Sequence, residues 1–187
     1  GEGDKDGEWM YGVNAALVEV DVKTGKTKVL KYACAADIGV IGNRLAVEGQ
    51  AYGGMEHAIG FALTENYENV KKHSNLIGAG FSYIKQIPDG DNFTVDFIQT
   101  PRPSSPFGSS GAAEIFQSSD HVAVLNAIYD ACGVRIYEIP ALPEKVKAGL
   151  DLLKEGKEIP NEPYWFGDDF YDRMDDIAEN PVAIPEK

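Results

Sequence analysis

The most helix-like long segment of the chain is LAVEGQAYGGMEHAIGFALTE, residues 45–65. Its apolar and small side chains recur at helical spacing and predict a helix with one face on a core, formed by Val47, Ala51, Gly54, Met55, Ala58, Ala62 and Leu63. The stretch also carries four glycines, Gly49, Gly53, Gly54 and Gly60. Each glycine costs a helix about 1 kcal/mol relative to alanine. Either this is an irregular helix in a crowded core, or another backbone or a cofactor packs very close to it; the segment alone favours the first.

A β-hairpin is predicted on the N-terminal side of this helix. Apolar side chains alternate from Trp9 onward, and a second alternating run ends near Asp37. Between them, Lys23-Thr24-Gly25-Lys26 has the composition of a turn, with the glycine free to adopt positive φ. The two runs therefore predict antiparallel strands.

Further strands and helices are predicted on the C-terminal side. Short strands are expected at 81–87, 93–99 and 134–139. The segment 100–111 is expected to be a loop, because it holds three prolines and two glycines. One helix is predicted to begin at a cap formed by Ser119 or Asp120 and to stop at Gly133, and another to begin at Pro143 and end at Gly156.

These elements predict an α+β fold of mixed strands with packed helices, because strands and helices do not alternate as a doubly wound sheet requires. We expect one domain over residues 1–153 and an acidic, aromatic C-terminal extension over residues 154–187. Residues 155–187 contain ten acidic and three basic side chains among several aromatic ones. That composition suggests a segment that lies over another surface rather than folding alone.

The composition excludes several classes of protein. With 17 basic and 30 acidic residues, the formal net charge is −13, so the surface repels phosphates and we expect no nucleic-acid partner. No apolar run approaches the ~18 residues of a transmembrane helix, so no membrane association is expected. The N-terminus lacks a signal-peptide pattern, which favours a cytoplasmic location. Two cysteines, Cys34 and Cys132, are too few for a disulfide scaffold or an iron–sulfur site.

The strongest chemical signal is PFGSSGAAE, residues 106–114. Small residues let a backbone approach an anionic group, and successive N–H groups can form an anion-binding nest. Glu114 follows this run and could act as a general base if its site excludes water. Gln50 could hydrogen-bond the edge of a heterocycle. By composition alone, a surface loop with a solvated glutamate and an ordinary polar helix residue are the better interpretations.

Metal ligation by side chains is not expected. His57, His73 and His121 are widely spaced, and Glu56 and His57, as neighbours in a helix, point to different faces. The sequence also contains no phosphate-binding loop or dinucleotide fingerprint after a strand.

Four motifs taken together resemble a known family. They are VEGQAYGGMEHAIGFALTENY at 47–67, IGAGFSYIKQIPD at 77–89, TPRPSSPFGSSGAAE at 100–114 and ACGVRIYEIPALPEKV at 131–146. In this order and spacing, they resemble the C-terminal part of the molybdopterin-binding subunit of the xanthine oxidase family, most of all its bacterial aldehyde oxidoreductases. The resemblance covers roughly residues 10–150, and four ordered motifs are far more specific than one.

The resemblance implies a cofactor and a set of site residues. The cofactor would be molybdopterin, in its cytosine dinucleotide form, with molybdenum bound by the pterin dithiolene and by no protein side chain. Glu114 would be the general base, taking a proton from the water-derived hydroxyl group that attacks the substrate. Gln50 would hydrogen-bond the pterin region. The loop residues that would lie against the molybdenum ligands and the pterin are Ser109, Ser110, Gly111, Ala112 and Ala113.

The implied reaction is oxidation of an aldehyde to a carboxylic acid with water as the oxygen source. Two alternatives remain open: hydroxylation of an N-heterocycle of the purine or nicotinate type, and a non-catalytic binding module that kept the fold. Ala113 stands where the family commonly has glycine, and Ile115-Phe116 follows where smaller residues or proline are usual. Both departures leave the substrate size open.

Part of the enzyme is expected to lie outside this chain. Enzymes of the family pass electrons through two [2Fe–2S] clusters held by cysteines, and this chain has only two cysteines. The expected partners are therefore the remainder of the molybdenum subunit and iron–sulfur domains or chains. The chain would be either one polypeptide of a split subunit or a segment cut from a longer one.

Overall fold

The predicted hairpin forms the first part of the fold. The computed structural model describes residues 9–69, 71–81, 87–161 and 170–180. Strand β1 (Tyr11–Val20) pairs antiparallel with β2 (Thr27–Asp37), and the register shifts between Leu17 and Val18. In the turn, the Asp21 carboxylate accepts hydrogen bonds from Lys23 N at 2.8 Å and Thr24 Oγ1 at 2.9 Å. The antiparallel pairing confirms the hairpin, and these hydrogen bonds stabilise its turn.

A third strand extends the sheet in a way that local sequence could not show. Strand β3 (Phe93–Ile98) confirms the strand expected at 93–99 and pairs with β2 in parallel, giving the order β1-β2-β3. Most of the other candidate strand, 81–87, lies outside the described residues, since 82–86 are not described.

The strand expected at 134–139 is wrong. The structure has no strand there, although Val134 is buried and Ile136 packs against the core. The alternation of apolar and polar residues therefore reflects burial of an extended connection between helices. A Cβ built on Gly149 would overlap the Val134 side chain, which shows how closely the next helix packs on this connection.

Six α-helices and two short 3-10 helices, Gly90–Asn92 and Pro106–Gly108, complete the described architecture. The long glycine-rich helix α1 (Arg44–Leu63) is confirmed, and the Asn43 side chain caps it by accepting a hydrogen bond from Ala46 N at 3.0 Å. The others are α2 (Leu76–Ala79), α3 (Ile115–Ser118), α4 (Asp120–Cys132), α5 (Pro143–Lys154) and α6 (Phe170–Glu179). Among the described residues, none of these helices is both long and apolar enough to cross a membrane.

The predicted helix ends are mostly correct. Helix α4 ends at Gly133, whose φ is +75°, and α5 begins at Pro143. The side-chain cap expected at α4 is wrong, because neither Ser119 nor Asp120 caps the helix. Ser119 Oγ instead accepts a hydrogen bond from Asn14 Nδ2 at 3.2 Å, and Asp120 is buried.

The core lies between one face of the sheet and the helices. Tyr32 of β2, Met55 and Ile59 of α1, Phe116 of α3 and Ile128 of α4 are fully buried there. This arrangement confirms the predicted α+β class. Helix α6 shows that the C-terminal extension contains regular structure, whereas the division of the chain at residue 153 stays a prediction.

Candidate functional site

A cleft of about 310 Å³ lies between α1 and the start of α3. It brings together Gln50 and Ala113, which are far apart in the chain and were both predicted as site residues. Its lining is Gly49, Gln50, Gly53, Gly54, His57, Ala113 and Gln117. The fold therefore joins the glycine-rich helix to the end of the glycine-serine loop.

The four glycines of α1 fall into two pairs. A Cβ on Gly54 would crowd Phe116, and a Cβ on Gly60 would crowd the Glu65 carboxylate, so these two are required by packing within the chain. A Cβ on Gly49 or Gly53 would meet nothing within 4 Å. A crowded core explains Gly54 and Gly60, whereas Gly49 and Gly53 face open space in the cleft, and the close approach of a cofactor to them stays a prediction.

The loop before Glu114 has a well-defined conformation. Ser109 Oγ donates to Val40 O at 2.7 Å, and Ser110 N donates to Ile38 O at 3.1 Å. Phe107 is 95% exposed and has a φ of +59°, unusual for a residue with a Cβ. The predicted anion nest is wrong for its first members, because the N–H groups of Ser109 and Ser110 donate to carbonyl groups of the chain.

Glu114 lies next to the cleft rather than in its lining. It occupies the N-cap position of α3, where its carbonyl accepts hydrogen bonds from Gln117 N at 3.1 Å and Ser118 N at 3.0 Å. Its side chain is exposed. Within the described residues, nothing excludes water from the carboxylate, and its role as a base stays a prediction.

Sequence reasoning missed two residues of the cleft. His57 and Gln117 meet across it, with 3.2 Å between His57 Nδ1 and Gln117 Oε1. The signal was present: Gln50, Gly53, Gly54 and His57 follow the i, i+3, i+4, i+7 spacing of a single helix face. This face of α1 carries small and polar side chains, so a pattern that looks only for apolar residues at helical spacing does not detect it.

The most perturbed titratable groups lie elsewhere. Burial raises the pKa of Asp120 to about 7 and that of the Cys34 thiol to about 12. Burial likewise raises the pKa of Tyr32 above its ordinary value. These three residues meet in the core between the sheet and α4, and none of them lines the cleft.

The cleft suits a flat ligand with a polar edge. Its glycine floor leaves room where side chains would stand, and the exposed Gln50 amide offers both a donor and an acceptor. In the loop that leads to Ala113, Ser110 Oγ is buried without a hydrogen-bond partner among the described residues. Across the same residues, no group of three His, Cys, Asp or Glu side chains could hold a metal ion.

Comparison with known proteins gives consistent matches. A family model described as a molybdopterin cofactor-binding domain matches residues 1–88. The aldehyde oxidoreductase of Megalodesulfovibrio gigas is 51% identical over 146 residues, which are 78% of this chain and 16% of the relative. The nicotine 6-hydroxylase large subunit of Paenarthrobacter nicotinovorans is 40% identical in an alignment of 143 residues that covers 72% of this chain and 17% of the relative. The solved aldehyde oxidoreductase of Desulfovibrio gigas has a TM-score of 0.73 and 51% identity, over 76% of this chain and 15% of that one.

The fold is that of a molybdopterin cofactor-binding domain. The chain belongs to the xanthine oxidase family of molybdenum enzymes, which confirms the resemblance carried by the four motifs. It spans only 16–17% of the length of the two sequence relatives described above.

Proposed function

We propose that this chain is the C-terminal part of a molybdenum hydroxylase that oxidises an aldehyde to a carboxylic acid with water as the oxygen source. The observation that carries the proposal is the cleft itself, which places Gln50 opposite Ala113 over two unobstructed glycines, with Glu114 as the next residue. The identity to a relative named aldehyde oxidoreductase supports the aldehyde as substrate class.

The cofactor would be molybdopterin in its cytosine dinucleotide form, which when bound supplies a molybdenum centre able to accept two electrons from the substrate. Gly49 and Gly53 let the cofactor approach the helix backbone, because neither carries a Cβ. Gln50 orients the cofactor through its amide, which can donate and accept at once. Ser109, Ser110, Gly111, Ala112 and Ala113 form the wall that leads to the base.

Glu114 would act as the general base. Its carboxylate takes a proton from the water-derived hydroxyl group as that group attacks the substrate carbon, and positioned general bases typically contribute about 100- to 10,000-fold to a rate. Because the side chain is exposed here, the remainder of the molybdenum subunit has to cover it and exclude water. The [2Fe–2S] clusters would lie on further domains or partner chains and carry the electrons away.

Glu114→Gln in the assembled enzyme tests this role. The assembled enzyme is this chain together with the remainder of its molybdenum subunit and the iron–sulfur parts. The variant should keep its molybdenum content and lose turnover by about 100-fold or more, because an amide cannot accept the proton. Glu138→Gln, at another exposed glutamate, is the control and should leave turnover unchanged. Normal turnover in Glu114→Gln would remove the residue from its role, and molybdenum missing from the unmodified enzyme would reject the cofactor.

A second candidate is the same chemistry on an N-heterocycle. It is supported by the 40% identity to a relative named nicotine 6-hydroxylase large subunit. Turnover of the assembled enzyme with aliphatic and aromatic aldehydes, compared with nicotinate and purines, separates the two. The substrate class with the higher kcat/KM decides between them.

A further inference from the structure

The loop that leads to Glu114 is fastened to the end of β2 by the carboxylate of Asp37. Asp37 Oδ1 accepts hydrogen bonds from Thr100 N at 3.1 Å and from Gly39 N at 3.2 Å. The Arg102 guanidinium adds an ion pair, with Nη2 3.3 Å from Asp37 Oδ1, and Nη2 also donates to the Asp37 carbonyl at 3.0 Å. The hydrogen bond from Thr100, followed by smaller contributions from Gly39 and Arg102, lowers the pKa of Asp37, so the carboxyl is ionised at neutral pH.

Both charged groups are largely removed from water. The side chain of Arg102 is 10% exposed and that of Asp37 is 13% exposed. A buried ion pair adds little net stability, but separating its partners leaves an uncompensated charge away from water. The main effect of the pair is therefore to hold the loop in one position, because any loop position that separates Asp37 from Arg102 costs free energy.

A second set of contacts extends this attachment toward Glu114. Gly108 O accepts hydrogen bonds from both Val40 N at 2.9 Å and Arg102 N at 3.0 Å. Ser109 Oγ donates to Val40 O at 2.7 Å, and Ser110 N donates to Ile38 O at 3.1 Å. The segment 38–40, which directly follows Asp37, is thus joined to the segment 108–110. We call the Asp37–Arg102 pair and these contacts the loop clasp.

The geometry points to Asp37 and Arg102 as positioning residues for Glu114. This inference rests on the proposed function. The clasp ends at Ser110, so only residues 111–113 separate it from the base, and its contacts set where Ala113 and Glu114 lie relative to Gln50. Neither Asp37 nor Arg102 lines the cleft, and each acts through the backbone of the loop.

The short connection explains why a small change at the clasp should reach the base. A Cβ built on Gly111 would have only the Met10 side chain nearby, at 4.0 Å, so Gly111 is not closely packed. The hydrogen bonds at Ser109 and Ser110, rather than packing at Gly111, therefore hold this part of the loop, and losing them would let Glu114 shift. A displacement of about 1 Å at a reacting group can cost about 100-fold in rate.

The test uses the assembled enzyme with Asp37→Asn, Arg102→Lys and the control Asp151→Asn. Like Asp37, Asp151 forms an ion pair with a basic residue, but its partner is Lys147 and both lie on α5, away from the loop. Three quantities are measured: amide hydrogen exchange of peptides covering 100–114, molybdenum content, and kcat and KM for an aldehyde. For Asp37→Asn we expect exchange in the loop to rise about tenfold and kcat to fall about 10- to 100-fold, with KM and molybdenum content unchanged. Arg102→Lys should show smaller changes in the same direction, because lysine keeps the charge, and Asp151→Asn should show none.

Three results would overturn the inference: unchanged exchange in the loop, raised exchange with normal kcat, or a fall in kcat matched by loss of molybdenum. Unchanged exchange would show that the Asp37–Arg102 pair does not hold the loop. Raised exchange with normal kcat would show that the loop's attachment does not affect the base. Loss of molybdenum together with kcat would show that the pair is needed only for the structure of the site. Glu114→Gln, measured in parallel, keeps the two proposals apart. If Glu114→Gln turns over normally while Asp37→Asn is slow, the assignment of the base fails; if Glu114→Gln is inactive while Asp37→Asn is normal, the positioning role fails.

Discussion

Gly54 of α1 lies directly against Phe116 of α3, so that a Cβ built on the glycine would stand 2.7 Å from Phe116 Cβ. Phe116 is fully buried and meets the Phe97 ring edge-on, with 6.0 Å between the ring centroids. The absence of a side chain at residue 54 therefore sets the separation between the cleft helix and the segment that follows Glu114. The adjacent Gly53 has open space where its Cβ would stand, so the same substitution at these two neighbouring glycines separates the effect of crowding from that of the helix backbone.

Alanine at these two positions should have opposite effects on the chain itself. Gly54→Ala should lower the free energy of unfolding by about 1–3 kcal/mol, because the added methyl group overlaps Phe116. Gly53→Ala should raise it by up to about 1 kcal/mol, because alanine favours a helix and meets no neighbour. Urea unfolding of both variants measures the difference.

Gly53→Ala also tests the cleft as the cofactor site. The methyl group would occupy space that the proposed cofactor uses, so molybdenum content of the assembled enzyme should fall although the fold is intact. A wild-type molybdenum content in this variant would show that the cofactor does not approach α1 at Gly53.

The buried Asp120 should make stability depend on pH. Its carboxylate is fully buried, and burial raises its pKa to about 7. An aspartate in the unfolded chain titrates near 4, so between about pH 4 and pH 7 the folded state holds a proton that the unfolded state has released. The contribution of Asp120 to the free energy of unfolding therefore falls by about 1.4 kcal/mol per pH unit across this window and is constant above it.

Asp120→Asn removes this titration. The free energy of unfolding of the variant minus that of the wild type should increase from pH 4 to pH 7 and then level off. Val122→Ala, at an exposed residue of the same helix that cannot titrate, should give a difference that stays nearly constant with pH. Equal pH profiles for Asp120→Asn and the wild type would show that Asp120 keeps an ordinary pKa.

The two cysteines should differ in reactivity. Cys34 is buried, and burial, with a smaller effect of Asp120, raises its pKa to about 12. Cys132 is half-buried at the end of α4, where its Sγ donates to Ile128 O at 3.2 Å. Because the thiolate is the reactive form, a thiol reagent at pH 8 should modify Cys34 at least about 100-fold more slowly than Cys132. Peptide mass spectrometry measures both rates, and Cys132→Ser should remove the fast reaction.

Ala113 should limit substrate size. It is exposed in the cleft wall, and Phe107 is the only non-glycine residue with positive φ among the described residues, so the backbone does not require glycine at position 113. Ala113→Gly in the assembled enzyme should raise the kcat/KM ratio of benzaldehyde to acetaldehyde about tenfold, the usual value of one methyl group in a pocket. Ala127→Gly removes a methyl group that packs against the core on α4, outside the cleft lining, and should leave the ratio unchanged.

Several features of the fold follow from local sequence. The hairpin was predicted because alternating runs flank a turn with glycine, and the end of α4 because Gly133 can adopt positive φ. Helix α1 was predicted from its spacing in spite of its glycines. Each of these signals acts over a few residues, where backbone preference and side-chain periodicity are sufficient. The strand expected at 134–139 shows the limit, because alternation also arises when an extended connection is buried.

Local preferences and four ordered motifs are thus enough to predict most of the individual helices and strands, and the family. The parallel pairing of β3 with β2, the different surroundings of Gly54 and Gly53, and the ion pair between Asp37 and Arg102 emerge only in the folded chain. The same is true of the cleft, where Gln50 and His57 of one helix meet Ala113 and Gln117 from a distant segment. The physical reason is that these relationships join residues far apart in the chain, and their geometry is set by packing of the whole core rather than by the preferences of any one segment.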